Sequence, residues 1–478
     1  MLYEQIAETV RVQIDSGLYG PGDRLVSVRR LAAEQGISVS TAVQAYQVLE
    51  DQGLVEVRPQ SGYYVRGRSP SAMPTTRLPK PASRPMKVST GEMIMDVLET
   101  LKNPALVPLG AAQPAAELLP VAALNRCISE VMRREPLSLF RYERTEGNAE
   151  LRQQIARLMM LAGVDLGADD IVITNGGQEA MVLAIRAIAQ PGDVIAVESP
   201  TYYGVLQAIQ SLGMQVLEIP TDAREGMSLS ALKLALEQWP IKAVFAMPTC
   251  SNPLGSSMSE EKKQALINLL REYDLPLIEN DEHAEFASAG SRPRAAKHYD
   301  SDGRVLLCTS FSKTLAPGCR VGWIAPGRYQ AQVTYLKYVS NLATPALTQR
   351  AIARFLQGGG YERHVRKLRQ LYVRQQERLS QAIFHFFPPG TKSSHPAGGM
   401  VTWVELPGKL SGFELYKRAF EKGISIVPGR LFSVQNKYEH FIRLSCGGLW
   451  TPEIERAIVT LGQLAQQMLA EPASKAGQ

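Results

Sequence analysis

The segment SFSKTLAPGCRVGW, residues 310–323, sets Lys313 among hydroxyls and places Arg320 seven residues beyond it. A cofactor that carries an aldehyde needs an amine for a Schiff base, and a phosphate dianion on it needs hydroxyls, amides and a guanidinium. Lys313 supplies the amine, Ser310 and Ser312 the hydroxyls, and Arg320 a planar fork suited to phosphate oxygens. Alone, a lysine in a polar loop is an ordinary surface feature. Here it is joined by four further segments in a fixed order. NGGQEA (175–180) stands between a strand and a helix, where the amides of Gly177 and Gln178 can meet an anion at the helix N-terminus. ESPTYYG (198–204) contains Tyr202, SNPLG (251–255) contains Asn252, and HFIRLSCG (440–447) contains Arg443.

These segments need a scaffold. DDIVIT (169–174), GDVIAVESP (192–200), KAVFAMP (242–248), LPLIEND (275–281) and VLLCTSFS (305–312) are short apolar runs that end in polar or glycine-rich residues. Helical spacing separates them, as in QEAMVLAIRAIA after the first run. Strands separated by helices imply crossover connections, hence a largely parallel sheet with helices on both faces. In such sheets ligands sit at the carboxyl ends of the strands, where these polar residues fall.

Together the five segments resemble fold-type I enzymes of pyridoxal 5′-phosphate (PLP), in the class I aminotransferase group, over roughly residues 91–468. The resemblance implies PLP on Lys313, with Gly177, Gln178, Ser310, Ser312 and Arg320 on its phosphate. It also implies Tyr202 stacked on the pyridine, Asn252 near the phenolic oxygen and Arg443 on a ligand carboxylate. Tyr142, in FRYERTEG (140–147), would reach the phosphate in a neighbouring subunit, which makes a homodimer necessary for a complete site.

At 279–283 the family pattern is Glu, Asp, Asp, any residue, Tyr; this chain has ENDEH. Asn280 and His283 thus replace the aspartate that meets the pyridine nitrogen and the tyrosine that meets the phenolic oxygen. A neutral amide hydrogen-bonds the ring nitrogen without holding it protonated, so slow or absent transamination is expected. His283 can still bond the phenolic oxygen, with a charge state open to pH. Asp281 is the remaining carboxylate. Neighbouring strand residues point to opposite faces, which turns it away, whereas a one-residue slip would bring it to the ring.

The first 68 residues read differently. A helix from Leu2 to Ser16, stopped by Gly17, precedes the turn GPGD (20–23) and two short helices, VRRLAAEQG (28–36) and SVSTAVQAYQVLED (38–51). In the second, Ala42, Ala45, Tyr46 and Leu49 share one face, while Ser40, Thr41, Gln44 and Gln47 point outward. After Gly53, LVEVRP and SGYYVRG alternate as a hairpin would. The run 23–65 resembles the winged helix-turn-helix of the GntR family. That implies double-stranded DNA as partner, with Ser27 and Arg29 on phosphates, Ser38, Ser40, Thr41 and Gln44 at the groove, and Arg58 and Gly62 at the wing. Val39 and Val43 stand where many members carry a polar reader, so which bases are read is altered. Residues 1–68 hold seven Lys/Arg against eight Asp/Glu, so the argument rests on where the arginines sit.

Residues 69–90 contain five prolines, four basic residues and no acidic ones, the composition of an extended linker. The expected architecture is multidomain: a winged helix-turn-helix (1–68), the linker (69–90), and an α/β, fold-type I PLP domain (91–478) with a small C-terminal subdomain from about 375. This is the layout of the MocR subfamily of GntR regulators. It implies a DNA-binding transcription regulator that responds to PLP or an amino compound; the alternative is an active aminotransferase with an accessory DNA module. Five scattered cysteines, without C-x-x-C spacing, argue against disulfides and a metal site and for a reducing cytoplasm. The acidic, amphipathic start does not read as a signal peptide, and no membrane span is expected.

Overall fold

Apolar residues three and four apart build the helices of the first unit, and continuous apolar runs separated by helical stretches build the second. The computed structural model describes residues 2–471, leaving out 16–18, 20–21, 52–53, 59–60, 66–72, 77, 82, 89–96, 98, 101–102, 289–291 and 436. Gly17, Gly53, part of the GPGD turn, much of the Pro-rich stretch and the Arg58 side chain therefore lie outside the described residues. The chain divides into two compact units, one of residues up to Pro74 with 377–385, and one of residues 75–376 and 386 onward.

The first unit contains α1 (Leu2–Asp15), α2 (Val28–Gln35), α3 (Val39–Asp51), β1 (Val55–Arg58) and β2 (Gly62–Val65). Ile6, Val10 and Ile14 of α1 pack with Leu31 of α2 and with Ala42, Ala45, Tyr46 and Leu49 of α3. Burying one such aliphatic side chain is worth about 1.5–3 kcal/mol, which holds three short helices that would not persist alone. The Ser27 hydroxyl accepts from the Arg30 amide (3.4 Å) at the start of α2, and Gly36 ends that helix at φ 62°, a conformation that costs a glycine nothing. β1 and β2 pair antiparallel with Arg58 opposite Gly62.

In the second unit the strands are β3 (Met86–Lys87), β4 (Val107–Pro108), β5 (Val172–Thr174), β6 (Val194–Ser199), β7 (Gln215–Asp222), β8 (Gly226–Met227), β9 (Ile241–Ala246), β10 (Leu277–Asn280), β11 (Val305–Ser310) and β12 (Gly322–Ala325). The main sheet runs β3-β7-β6-β9-β10-β11-β12-β5, with β8 beside β7. β7, β6, β9, β10 and β11 are mutually parallel, and β12 is antiparallel to both neighbours. Both faces are covered. Ile195, Val197 and Ile278 pack toward Met181 and Ala184 of the helix Gly177–Ile188, while Val194, Ala196 and Leu277 pack on the opposite side with Leu266 and Leu270. Burial on both faces is why these strands read as continuous apolar runs.

A smaller antiparallel sheet is formed by β13 (Lys392–Ser393), β14 (Val401–Glu405), β17 (Phe441–Ser445) and β16 (Val427–Pro428), in that order. Another short strand, β15 (Ile424–Ser425), pairs in parallel with β4. Trp403 sits against Phe441 at 5.4 Å and Phe432 at 5.2 Å between ring centres. The sequence places the start of this subdomain at about 375; the helix Tyr361–Phe386 runs unbroken through that point, and the sheet begins at Lys392. The linker also differs from expectation. Met86 and Lys87 pair with β7, and Trp239 Nε1 donates to the Ser83 carbonyl (2.9 Å), so the later Pro-rich residues belong to the second unit. Extended chain of this kind can add to a sheet edge even where prolines withhold donors.

Candidate functional site

Around Lys313 lies a cavity of about 480 Å³, lined also by Tyr202, Asn252, Asn280, Glu282, His283 and Arg443. The parallel strands explain the convergence. Tyr202 follows β6, Asn252 follows β9, Asn280 ends β10 and Lys313 follows β11, so all four stand at carboxyl ends. Arg443 comes from β17 of the smaller sheet, opposite Trp403.

Gly177, Gln178, Ser310, Ser312 and Arg320 are not among the residues that line this cavity; they gather beside it, around the first turn of the helix Gly177–Ile188, with Arg320 exposed. Gly176, at φ +86°, precedes that helix, and a Cβ there would stand 2.3 Å from Arg320 Nη2. Glycine is thus what allows the guanidinium against the turn, where Nη2 donates to the Asn175 carbonyl at 2.9 Å. Ser310 Oγ donates to Glu282 Oε1 (2.6 Å) and accepts from the Ser312 amide (3.1 Å). Gln178 Nε2 donates to the Gly204 carbonyl (3.0 Å), joining two strand-to-helix turns. Free helix amides, two serines and an arginine are the donor set that a phosphate ester requires.

One end of the cavity itself is built on Arg443, only 1% exposed. Its Nη1 donates to Asn252 Oδ1 at 3.0 Å, its Nη2 donates to the Gly110 carbonyl, and its Nε is buried without a partner among the described residues. The guanidinium lies over the rings of Phe432 (5.3 Å) and Tyr203 (5.9 Å). A buried guanidinium with no carboxylate partner among the described residues suits an incoming carboxylate.

Strand alternation decides the ENDEH segment. Glu279 accepts from the amides of Ala296 (2.7 Å) and Lys297 (2.9 Å) on one side of the sheet. Asn280 faces the helix Gly177–Ile188 and the cavity: its Nδ2 meets Met181 Sδ at 3.3 Å, and its Oδ1 accepts from the Glu282 amide at 3.1 Å. Asp281 pairs with Arg292 and does not line the cavity. His283 Nδ1 lies 3.3 Å from the Cys250 carbonyl and so carries its proton there. Burial pushes its pKa down to about 4, against the opposing pull of Glu282 and with help from the cations Lys313 and Arg443, so the ring is neutral near pH 7, where the sequence left its charge open. Burial likewise pulls the Lys313 ammonium below the usual lysine range; Arg443 and Arg320 act in the same sense and Glu282 opposes them. An amine that gives up its proton readily is the form that attacks an aldehyde.

Tyr142 does not line this cavity. It is 87% exposed beside Phe140 at 91%, in a surface hollow that also takes Pro345 and Leu347. In the first unit, Ser27, Arg29, Ser38, Ser40 and Gln44 are exposed and Thr41 is half-buried. Ser38 Oγ lies 2.8 Å from both Ser40 Oγ and Thr41 Oγ1 and accepts from the Thr41 amide (3.1 Å), so it caps α3. Val39 beside it is exposed and apolar. Gly62, at φ +118°, turns the wing beside the Arg24 side chain. Sequence reasoning missed Glu282, Tyr203 and Gln113 in the cavity lining. Glu282 stands inside the ENDEH motif, at its unrestricted position; Gln113 carries no local signal.

The chain matches the family model described as aminotransferase class I and II over residues 106–461, and that of bacterial regulatory proteins of the gntR family over residues 2–65. It is 39% identical to the uncharacterized HTH-type transcriptional regulator YjiR of Escherichia coli (strain K12), over 96% of this chain and 98% of that one. It is equally 39% identical to a second such regulator of that strain, YdcR, over 98% and 99%. Among solved structures, Pyrococcus horikoshii kynurenine aminotransferase superposes with a TM-score of 0.74 at 29% identity, covering 80% of this chain and 96% of that one. The α-aminoadipate aminotransferase LysN of Thermus thermophilus, complexed with N-(5′-phosphopyridoxyl)-L-leucine, gives 0.73 at 26%, covering 80% of this chain and 96% of that one. A gntR-type reader followed by an aminotransferase fold, matched along nearly the whole length of two regulators, places this chain in the MocR-type group of GntR-family transcription regulators.

Proposed function

We propose that this protein is a DNA-binding transcription regulator that holds PLP on Lys313 and responds to PLP itself or to an amino compound bearing a carboxylate. The observation that carries the reading is the pairing, in one cavity, of a half-buried lysine whose pKa is lowered with the buried Arg443. The phosphate donor set around Gly177 lies beside them. When bound, PLP supplies an aldehyde and a conjugated ring able to accept electrons. Lys313 holds the cofactor, Ser310, Ser312 and Arg320 hold its phosphate, Tyr202 covers the ring and Arg443 orients a ligand carboxylate. Asn280 would offer the ring nitrogen an amide whose oxygen is already engaged by the Glu282 N–H, hence a donor and no negative charge. Slow or absent transamination follows, which favours sensing over turnover.

The exposed Tyr142 and Phe140 support a homodimer in which Tyr142 completes the partner's site. Ser27, Arg29, Ser38, Ser40, Thr41, Gln44, Arg58 and Gly62 form the DNA-contacting set, and Val39 offers a thymine methyl an apolar partner. A DNA-binding regulator of this kind works in the cytoplasm, where its DNA is; none of the described helices is long and apolar enough to cross a membrane. Adding PLP to purified protein should produce visible absorbance that borohydride fixes at Lys313 by peptide mapping. Promoter DNA titrated with and without PLP, and against Lys313→Ala, should show a change in affinity or footprint. Absence of any change in either comparison rejects the sensing role.

A further inference from the structure

We propose that Glu282 competes with the phosphate group of PLP for the Ser310 hydroxyl, so that this chain holds its cofactor exchangeably; the inference rests on the PLP reading above. Glu282 is the one carboxylate among the described residues lining the Lys313 cavity. Its Oε1 takes the Ser310 hydroxyl at 2.6 Å and lies 3.6 Å from where a Cβ on Gly177 would stand. That is the first residue of the helix Gly177–Ile188, where free amides and the positive end of the helix attract an anion. A serine hydroxyl has a single hydrogen to donate, so Ser310 serves either this carboxylate or a phosphate oxygen. A phosphate dianion beside Gly177 also meets a like charge at close range.

The backbone around Glu282 is tied down on both sides. Its own amide donates to Asn280 Oδ1 (3.1 Å), Asp281 pairs with Arg292, and His283 Nδ1 donates to the Cys250 carbonyl (3.3 Å). Giving up Ser310 is therefore a rotation of one side chain, and the carboxylate remains near Lys313, whose ammonium it favours. A protein that reports a cofactor's concentration needs occupancy that rises and falls with that concentration, which a competing internal anion provides.

The test compares wild type with Glu282→Gln and Glu282→Ala, each first shown to be folded by circular dichroism. Inorganic phosphate binding is measured by calorimetry, and binding of PLP and of pyridoxal, which lacks the phosphate, by absorbance. Glu282→Ala should bind phosphate and PLP about tenfold more tightly or better, Glu282→Gln, whose amide oxygen still accepts from Ser310, should gain less, and pyridoxal should gain less than PLP in both. Unchanged or weaker phosphate binding in both variants overturns the proposal. So does an equal gain for pyridoxal, which would place the effect on the Lys313 amine. If borohydride labels Lys313 in none of the proteins, the PLP reading fails, and the phosphate titration still decides the role of Glu282.

Discussion

Asp281 is ion-paired with Arg292 in the interior, with side-chain exposures of 1% and 7%, while its neighbour Asn280 lines the cavity. The one aspartate of the ENDEH segment is thereby committed to the scaffold, and a neutral amide is left facing the site. Arg292 is held further by Glu285, to which its Nε donates at 2.8 Å.

Replacing Asn280 by Asp should put a negative charge into the cavity beside Lys313. The expected outcome is faster conversion of bound PLP to pyridoxamine phosphate on adding an amino acid, on the order of a hundredfold. Single-turnover absorbance measures it. No gain in the folded variant would show that Asn280 does not limit transamination.

Arg292→Ala leaves Asp281 and Glu285 without their shared cation. Breaking a buried pair from one side costs about 3–5 kcal/mol, visible as a lower denaturant midpoint. The double variant Asp281→Asn, Arg292→Met should recover much of that loss, since it removes both charges together. A single variant as stable as wild type would contradict the buried pair.

Glu198 gives a pH-dependent stability. Its Oε2 accepts from the Met247 amide at 2.9 Å, its Oε1 is buried without a partner among the described residues, and burial pushes the carboxyl up to about 8. The folded protein thus keeps a proton that the unfolded chain releases near its model value of 4.5. This contribution is complete below that pH, declines as pH rises and is gone above about 8. Denaturation series across that window should show Glu198→Gln losing less stability than wild type; parallel curves would rule the assignment out.

At the DNA-reading head, Arg29 is exposed at the start of α2 and Ser38 caps α3. Arg29→Ala should weaken binding about equally for all sequences and reduce the salt slope of log K by about 1. Ser38→Ala should cost the unit about 1 kcal/mol of stability through loss of the cap. An Arg29 variant with the wild-type salt slope would remove that residue from the phosphate contacts.

What the sequence determined by itself was everything carried by short-range spacing. The helix-turn-helix follows from apolar residues three and four apart, and the sheet from β-branched runs separated by helical stretches. The order of Gly177, Tyr202, Asn252, Lys313 and Arg443 marks the site, because strand ends and helix starts in a parallel sheet put such residues together. Alternation along β10 even separates Asn280 from Asp281, since a pleated strand turns adjacent side chains to opposite faces. Tertiary structure decided what depends on distant partners. That Asp281 finds Arg292, and that Glu282 reaches Ser310 from the turn after β10, are contacts between segments 11 and 28 residues apart. The neutrality of His283 and the lowered pKa of Lys313 arise from exclusion of water and from nearby cations, quantities that exist only once the chain has closed around the site. The docking of the Pro-rich stretch beside β7 belongs to the same class, because a sheet edge is assembled by the fold and is absent from any local run of residues.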